Sequence, residues 1–140
     1  MACRVFGDAN ILLDFTLRRE HYKVARQIIE LGVNGDIHLF TTPAIIQIIA
    51  YWLTKAYGKV KAKELILAML ADITVIDADH EVTVNAVHAK MDDMEDTLQY
   101  YTAIHHKLDY FLTRDRQMKK TALPVLPVCT PEDVTREVYH

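Results

Sequence analysis

The chain has 140 residues, about one domain's worth, and its 51% hydrophobic content is ample for a single buried core. A formal charge of −3 excludes a protein that grips nucleic acid through bulk positive potential, because counterion release needs clustered Lys and Arg; any such contact must be local. No run approaches ~18 uninterrupted apolar residues and the N-terminus lacks a signal peptide's charged-then-apolar design, so a soluble cytoplasmic protein without membrane contact is expected.

A first strand is expected near 3–8, ending at Asp8 and leading through Asn10 into Ile11-Leu12-Leu13. Val24, Ile28 and Leu31 mark a helix face at spacings of four and three, stopped by Gly32 and Asn34-Gly35. Ile37–Phe40 reads as the second strand. Thr42-Pro43 then supplies an N-cap and a first-turn proline for a helix running to about Tyr57. That helix carries Ile45, Ile46, Ile48, Ile49, Trp52 and Leu53, so protein must cover most of its surface, as core or as interface. Gly58 separates it from a helix over 60–70, which carries lysines on one side and Leu65, Ile66 and Met69 on the other.

Ile73–Ile76 is the third strand, and Asp79 opens a helix through Val82, Ala86 and Ala89. The acidic cluster Asp92-Asp93-Met94-Glu95-Asp96 precedes a helix whose buried stripe is read as Leu98, Tyr101, Ile104 and Leu108. Tyr110–Leu112 gives a fourth strand and Pro124–Val128 a fifth, whose two prolines suit a sheet edge. Cys3 and Cys129 fall in predicted strands, where a reduced thiol behaves as a small apolar side chain. With no repeat or linker, residues 1–140 read as one domain.

Strands separated by helices favour an α/β domain with a mostly parallel sheet, whose right-handed crossovers align the carboxyl ends of the strands along one edge, where ligands bind. Asp8 and Asp115 are each expected at that edge, and the helix opening at Asp96 enters from the same side. Three acids brought together suit a hard divalent cation, which takes oxygen ligands and supports phosphodiester hydrolysis. Each acid has another role open to it at a helix start: Asp92-x-x-Glu95 and Asp93-x-x-Asp96 suit capping, and Asp8 can cap at Asn10 and Ile11. No Gly-rich phosphate loop, nucleophile elbow or Cys-x-x-Cys pair is present, and the histidines lack zinc-site spacing.

Three stretches, in order, resemble the signatures of the PIN domain family, small α/β nucleases that include the VapC-type toxins of toxin–antitoxin modules. They are Asp8-Ala9-Asn10-Ile11-Leu12-Leu13-Asp14, Asp93-Met94-Glu95-Asp96-Thr97-Leu98-Gln99-Tyr100 and Tyr110-Phe111-Leu112-Thr113-Arg114-Asp115, so the resemblance spans nearly the whole chain. It implies a three-layer α/β/α domain around a five-stranded sheet. It also implies an endoribonuclease whose Mg²⁺ or Mn²⁺ is held by Asp8, Asp96 and Asp115, with Asn10, Glu95 and Thr113 in support. A homodimer and a partner antitoxin lying near the acidic pocket are implied as well, and an Arg or Lys of that partner would replace the cation's charge.

One position departs from the family's pattern: Gln47 stands where a Glu is usual. It shares a polar stripe with Tyr51 and Thr54, so it is expected to face the site. An amide can hydrogen-bond a metal-bound water but supplies no charge. Two functions follow, an active metal-dependent endoribonuclease or a PIN-fold module of weakened chemistry that binds RNA or a protein partner. Arg114, Lys119 and Lys120 flank the last acid and are the basic residues best placed for RNA phosphates, solvated loop charges being the other reading. Aspartyl phosphoryl-transfer folds fit poorly, because Asp8-Ala9-Asn10 lacks a second acid and Val128-Cys129-Thr130 lacks a receiver-type Lys.

Overall fold

The computed structural model describes residues 2–139. Five short strands, β1 (Cys3–Gly7), β2 (Ile37–Thr41), β3 (Ile73–Val75), β4 (Tyr110–Leu112) and β5 (Val128–Cys129), form one sheet in the order β3-β2-β1-β4-β5. Every pairing is parallel. The chain winds outward from β1 to β3, then returns across the sheet to β4 on the other side of β1. The β1–β4 seam is therefore the point where strand order reverses, and a crevice opens at the carboxyl ends there. Gly7 stands opposite Leu112, which sets Asp8 beside Thr113 one residue further on.

The crossovers carry α1 (Ala9–Thr16), α2 (Tyr22–Val33), α3 (Pro43–Tyr57), α4 (Lys59–Leu70), α5 (His80–His88), α6 (Met94–His105) and α7 (Arg116–Thr121), with α8 (Pro131–Tyr139) after β5. Right-handed connections place α1–α4 on one face of the sheet and α5–α7 on the other. The contacts agree, since α1 packs on α2 and α3, α3 on α4, α5 on α6 and α8 on α2. Phe6 of β1 stacks on Phe111 of β4 at 4.7 Å, and Tyr100 of α6 meets Phe111 edge-on at 5.5 Å. All three are fully buried, so α6 is fixed against the seam by aromatic packing.

Several expectations are corrected. Gly32 lies inside α2, where a Cβ would stand 2.8 Å from Leu39 Cδ1; the helix stops at Gly35, at φ +82°, as Asp36 N–H bonds Leu31 O and Gly35 N–H bonds Gly32 O. The buried face of α6 is Thr97, Gln99, Tyr100, Thr102 and Ala103, while Leu98, Tyr101 and Ile104 are only partly covered. It is turned by about one residue because α6 packs on α5 and, through Tyr100, on Phe111 of β4. The fifth strand is only Val128–Cys129, at the sheet edge; Leu123–Leu126 turns instead, with Leu126 N–H bonded to Leu123 O. Cys3 is exposed at the start of β1, outside the core. On α3 only Ile45, Ile49 and Leu53 are buried, and Tyr51 and Trp52 are exposed. The short polar α7 and the terminal α8 had no apolar periodicity long enough to announce them.

Candidate metal site at the sheet switch point

Asp8 sits at the junction of β1 and α1, its own N–H donating to Leu112 O at 3.1 Å. One carboxylate oxygen, Oδ1, accepts the Ala9 N–H at 2.7 Å, so the cap falls on Ala9, not on Asn10 or Ile11. The other, Oδ2, accepts from Thr113 Oγ1 at 2.9 Å. Burial lifts the Asp8 carboxyl above its ordinary range against the Thr113 and Ala9 hydrogen bonds, and the Asp115 charge adds to the rise.

Asp96 reaches the same place from α6. Asp93 is the N-cap, its Oδ1 accepting the Asp96 N–H at 2.9 Å, which leaves the Asp96 carboxylate with no capping duty. The helix start is held further by Gln99, whose Oε1 accepts from Thr42 Oγ1 at 2.5 Å, while the same hydroxyl caps α3 through Ile45 N–H. Burial first, then the charges of Asp8, Asp93, Asp115 and Glu95, push the Asp96 carboxyl up to about 7. Asp115 caps α7 through Gln117 N–H at 2.9 Å and is exposed. Its own N–H donates to Thr113 Oγ1 at 3.1 Å. With Met91, Asp92, Asp93 and Asp96 it lines a small cleft of about 60 Å³.

The remaining expected residues divide among three neighbouring places. Glu95 and Gln47 line a broad groove over α3 and α6, beside Ala44, Ile48, Tyr51 and Trp52. Asn10 is exposed, and its Oδ1 and backbone O accept from Arg19 Nη2 at 3.2 Å. Arg114, Lys119 and Lys120 line a groove of about 700 Å³ with His21, Arg116 and Arg136. Within it Lys119 donates to Asp133 at 2.8 Å and holds that carboxyl near 2, whereas Arg116 and Lys120 make no ion pair among the described residues. His21, Arg116 and Arg136 were not anticipated here; His21 and Arg136 come from segments distant in the sequence. Asp14 is 2% exposed and paired with Arg19 and Arg114. Its signal was the i, i+4 pair Asn10 and Asp14, followed at once by Arg18-Arg19.

Among the described residues no three His, Cys, Asp or Glu side chains stand grouped closely enough to hold an ion by themselves. The donor chemistry nevertheless fits a hard cation, since Mg²⁺ is usually held by one or two carboxylates and keeps several waters. Burial, and after it the charges of Asp8, Asp93, Asp115 and Glu95, hold the Asp96 carboxyl at about 7, a surrounding that a bound cation would relieve.

The parallel sheet and its switch point define an α/β domain with a crevice at the carboxyl ends of its strands. A PIN domain family model matches residues 4–117, and the chain belongs to that family. It is 27% identical over 128 residues to Ribonuclease VapC1 of Aquifex aeolicus (strain VF5), a match covering 88% of this chain and 89% of that protein. Its fold is similar to that of a toxin–antitoxin complex from Klebsiella pneumoniae, with a TM-score of 0.67 and 21% identity, over 91% of this chain and 97% of that one. It is also similar to VapBC2 of Rickettsia felis bound to a promoter DNA fragment, with a TM-score of 0.66 and 16% identity, over 91% and 98% of the two chains.

Proposed function

We propose that this protein is a metal-dependent endoribonuclease of the VapC toxin kind. What supports the reading is that Asp8, Asp96 and Asp115 lie near enough beside the β1–β4 seam for Asp115 to raise the Asp8 carboxyl and for both to raise that of Asp96, a repulsion that a bound cation would relieve. The relationship to Ribonuclease VapC1 supports RNA as the substrate. Asp8, Asp96 and Asp115 would hold Mg²⁺ or Mn²⁺, directly or through water, with Thr113 orienting Asp8 and Asp115 and with Asn10, Gln47 and Glu95 at the margin. The bound ion supplies Lewis acidity and a water of lowered pKa. The chain's own contribution is to fix the carboxylates on two strand ends and one helix start. Arg114, Lys119 and Lys120, with Arg116 and Arg136, offer the local positive surface that RNA phosphates require beside such acids.

A second reading, a PIN-fold module of weakened chemistry that binds RNA or a protein partner, is supported by Gln47, an amide lining the groove beside Glu95 where the family resemblance implies a carboxylate. Cleavage of a structured RNA by purified, partner-free protein in EDTA, Mg²⁺ or Mn²⁺, beside Asp96→Asn, separates the two. Metal-dependent cleavage lost in the variant is the expected result. Metal-independent binding without cleavage, from folded protein, selects the second reading.

Two partners belong to the same proposal. Similarity to toxin–antitoxin complexes supports a cognate antitoxin that silences the site. The uncovered face of α3, with Tyr51 at 55% and Trp52 at 45% exposure, supports a homodimer, and a strictly monomeric elution at high concentration counts against it. No helix among the described residues is long and apolar enough to cross a membrane. We take the cytoplasm as the setting, as a ribonuclease toxin requires.

A further inference from the structure

We propose that Asp14 is a positioning residue for the acidic site, acting through Arg114; the inference rests on the nuclease reading and assigns a role to a carboxylate outside the metal cluster. Asp14 lies in the last turns of α1 and is 2% exposed. A buried carboxylate is retained only when paired and hydrogen-bonded, and two guanidinium groups meet this one. Arg114 Nη2 stands 2.9 Å from Oδ2 and donates to Oδ1 at 3.1 Å, while Arg19 Nε donates to Oδ1 at 2.9 Å.

The backbone is shaped to bring these cations in. α1 ends with Arg18 at φ 52°, a left-handed conformation that costs a non-glycine residue strain. That turn lets Arg19 N–H bond Asp14 O at 3.1 Å and folds the Arg19 side chain back over α1, where it also reaches Asn10. Arg114 comes from the opposite direction, out of the loop after β4, 100 residues away in the chain. Its Nε is buried without a hydrogen-bond partner, so its placement is set by Asp14 against a local cost.

What Asp14 grips is the residue between Thr113 and Asp115. Thr113 Oγ1 orients Asp8 and accepts the Asp115 N–H, so the turn that bears Asp115 and orients Asp8 has its one long side chain anchored to α1. Asp8 caps that same helix at its other end. The helix thus joins both sides of the seam: Asp8 at its start, and Asp115 through the Asp14–Arg114 clamp near its end. Loss of the clamp frees the Asp115 turn without removing any acid of the site.

The test is Asp14→Asn, which keeps shape and removes charge, read by amide hydrogen exchange at Asp115 and by Mn²⁺ titration followed by electron paramagnetic resonance. Exchange at Asp115 is expected to quicken about tenfold and Mn²⁺ affinity to fall about tenfold, with no further loss of either when Asp14→Asn is added to Arg114→Met. Unchanged exchange at Asp115 in folded Asp14→Asn protein, or losses that add in the double variant, overturns the proposal. Should Asp14→Asn not fold, Arg114→Lys leaves the Asp14–Arg19 pair intact and must quicken the same amide; if it does not, the proposal falls. Failure of the nuclease reading shows separately, as wild-type protein that neither binds Mn²⁺ nor cuts RNA, and the exchange measurement still decides the clamp.

Discussion

The Thr113 hydroxyl donates to Asp8 Oδ2 at 2.9 Å, joining residues 105 apart in the chain. It also accepts the Asp115 N–H, and Thr113 is 1% exposed, so nothing from solvent replaces it. Thr113→Val keeps the shape and leaves both partners unpaired, at about 1–3 kcal/mol. Thr113 is one of the groups that lowers the Asp8 carboxyl, so its loss drives that pKa further up. If ionised Asp8 serves the reaction, the acid limb of the cleavage profile moves to higher pH and part of the lost rate returns as the pH is raised. A profile unchanged in shape would show that this hydroxyl does not tune Asp8.

The pH dependence of stability should carry the mark of Asp96. Its carboxyl is near 7 in the folded, metal-free chain against 3.8 ordinarily, so between these values the native state holds a proton that the unfolded state has lost. Stability contributed by that proton is present at low pH, falls as pH rises through the window from about 4 to about 7, and stays lost above it. In EDTA the melting temperature of wild type relative to Asp96→Asn should therefore decline across that window. Mg²⁺ should restore more stability at pH 8 than at pH 5. A difference between the two proteins that is flat with pH would contradict the crowding of acids.

Much of this was legible in the chain because the signals were local. β1, β2, β3 and β4 are short apolar runs bounded by breakers, Thr42-Pro43 and Asp79 announce helix starts, and the acids at strand ends follow from a parallel sheet. What could not be read depended on partners distant in sequence. The face of α6 was misplaced because Thr97, Thr102 and Gln99 look polar, yet Thr97 and Thr102 bond backbone carbonyls one turn earlier and Gln99 bonds Thr42. Gly32 read as a stop because its close approach to Leu39 involves a separate strand. The pairing of Asp14 with Arg114 was invisible for the same reason.

Tyr100 offers a test of the packing that holds α6 in place. It is fully buried, its hydroxyl donates to Leu126 O at 2.5 Å and accepts Leu123 N–H at 2.8 Å, and so it ties the turn before β5 to the helix carrying Asp96. Tyr100→Phe keeps the ring contact with Phe111 and strands both backbone groups. The expected cost is about 1–3 kcal/mol, or a melting temperature lower by roughly 3–10 °C. An unchanged melting temperature would mean that water reaches these groups.

Gln47→Glu supplies the carboxylate that the family resemblance implies at this position, and its effect should change sign with the cation. The side chain is exposed and lines the groove with Glu95, so a new charge there stands with that carboxylate in the same groove. Without metal the variant should be less stable than wild type at pH 8, by about 0.5–1 kcal/mol for a partly solvated charge. With metal the same charge favours the ion, and the Mg²⁺ concentration for half-maximal cleavage should fall roughly two- to fivefold with turnover kept or raised. If turnover instead falls clearly while the protein stays folded, the amide of Gln47 is a working part of the site and the chain has diverged from the carboxylate pattern in its chemistry. If neither stability nor the Mg²⁺ midpoint moves, position 47 lies outside the field of the cluster, and Glu95 becomes the nearer candidate for the missing charge.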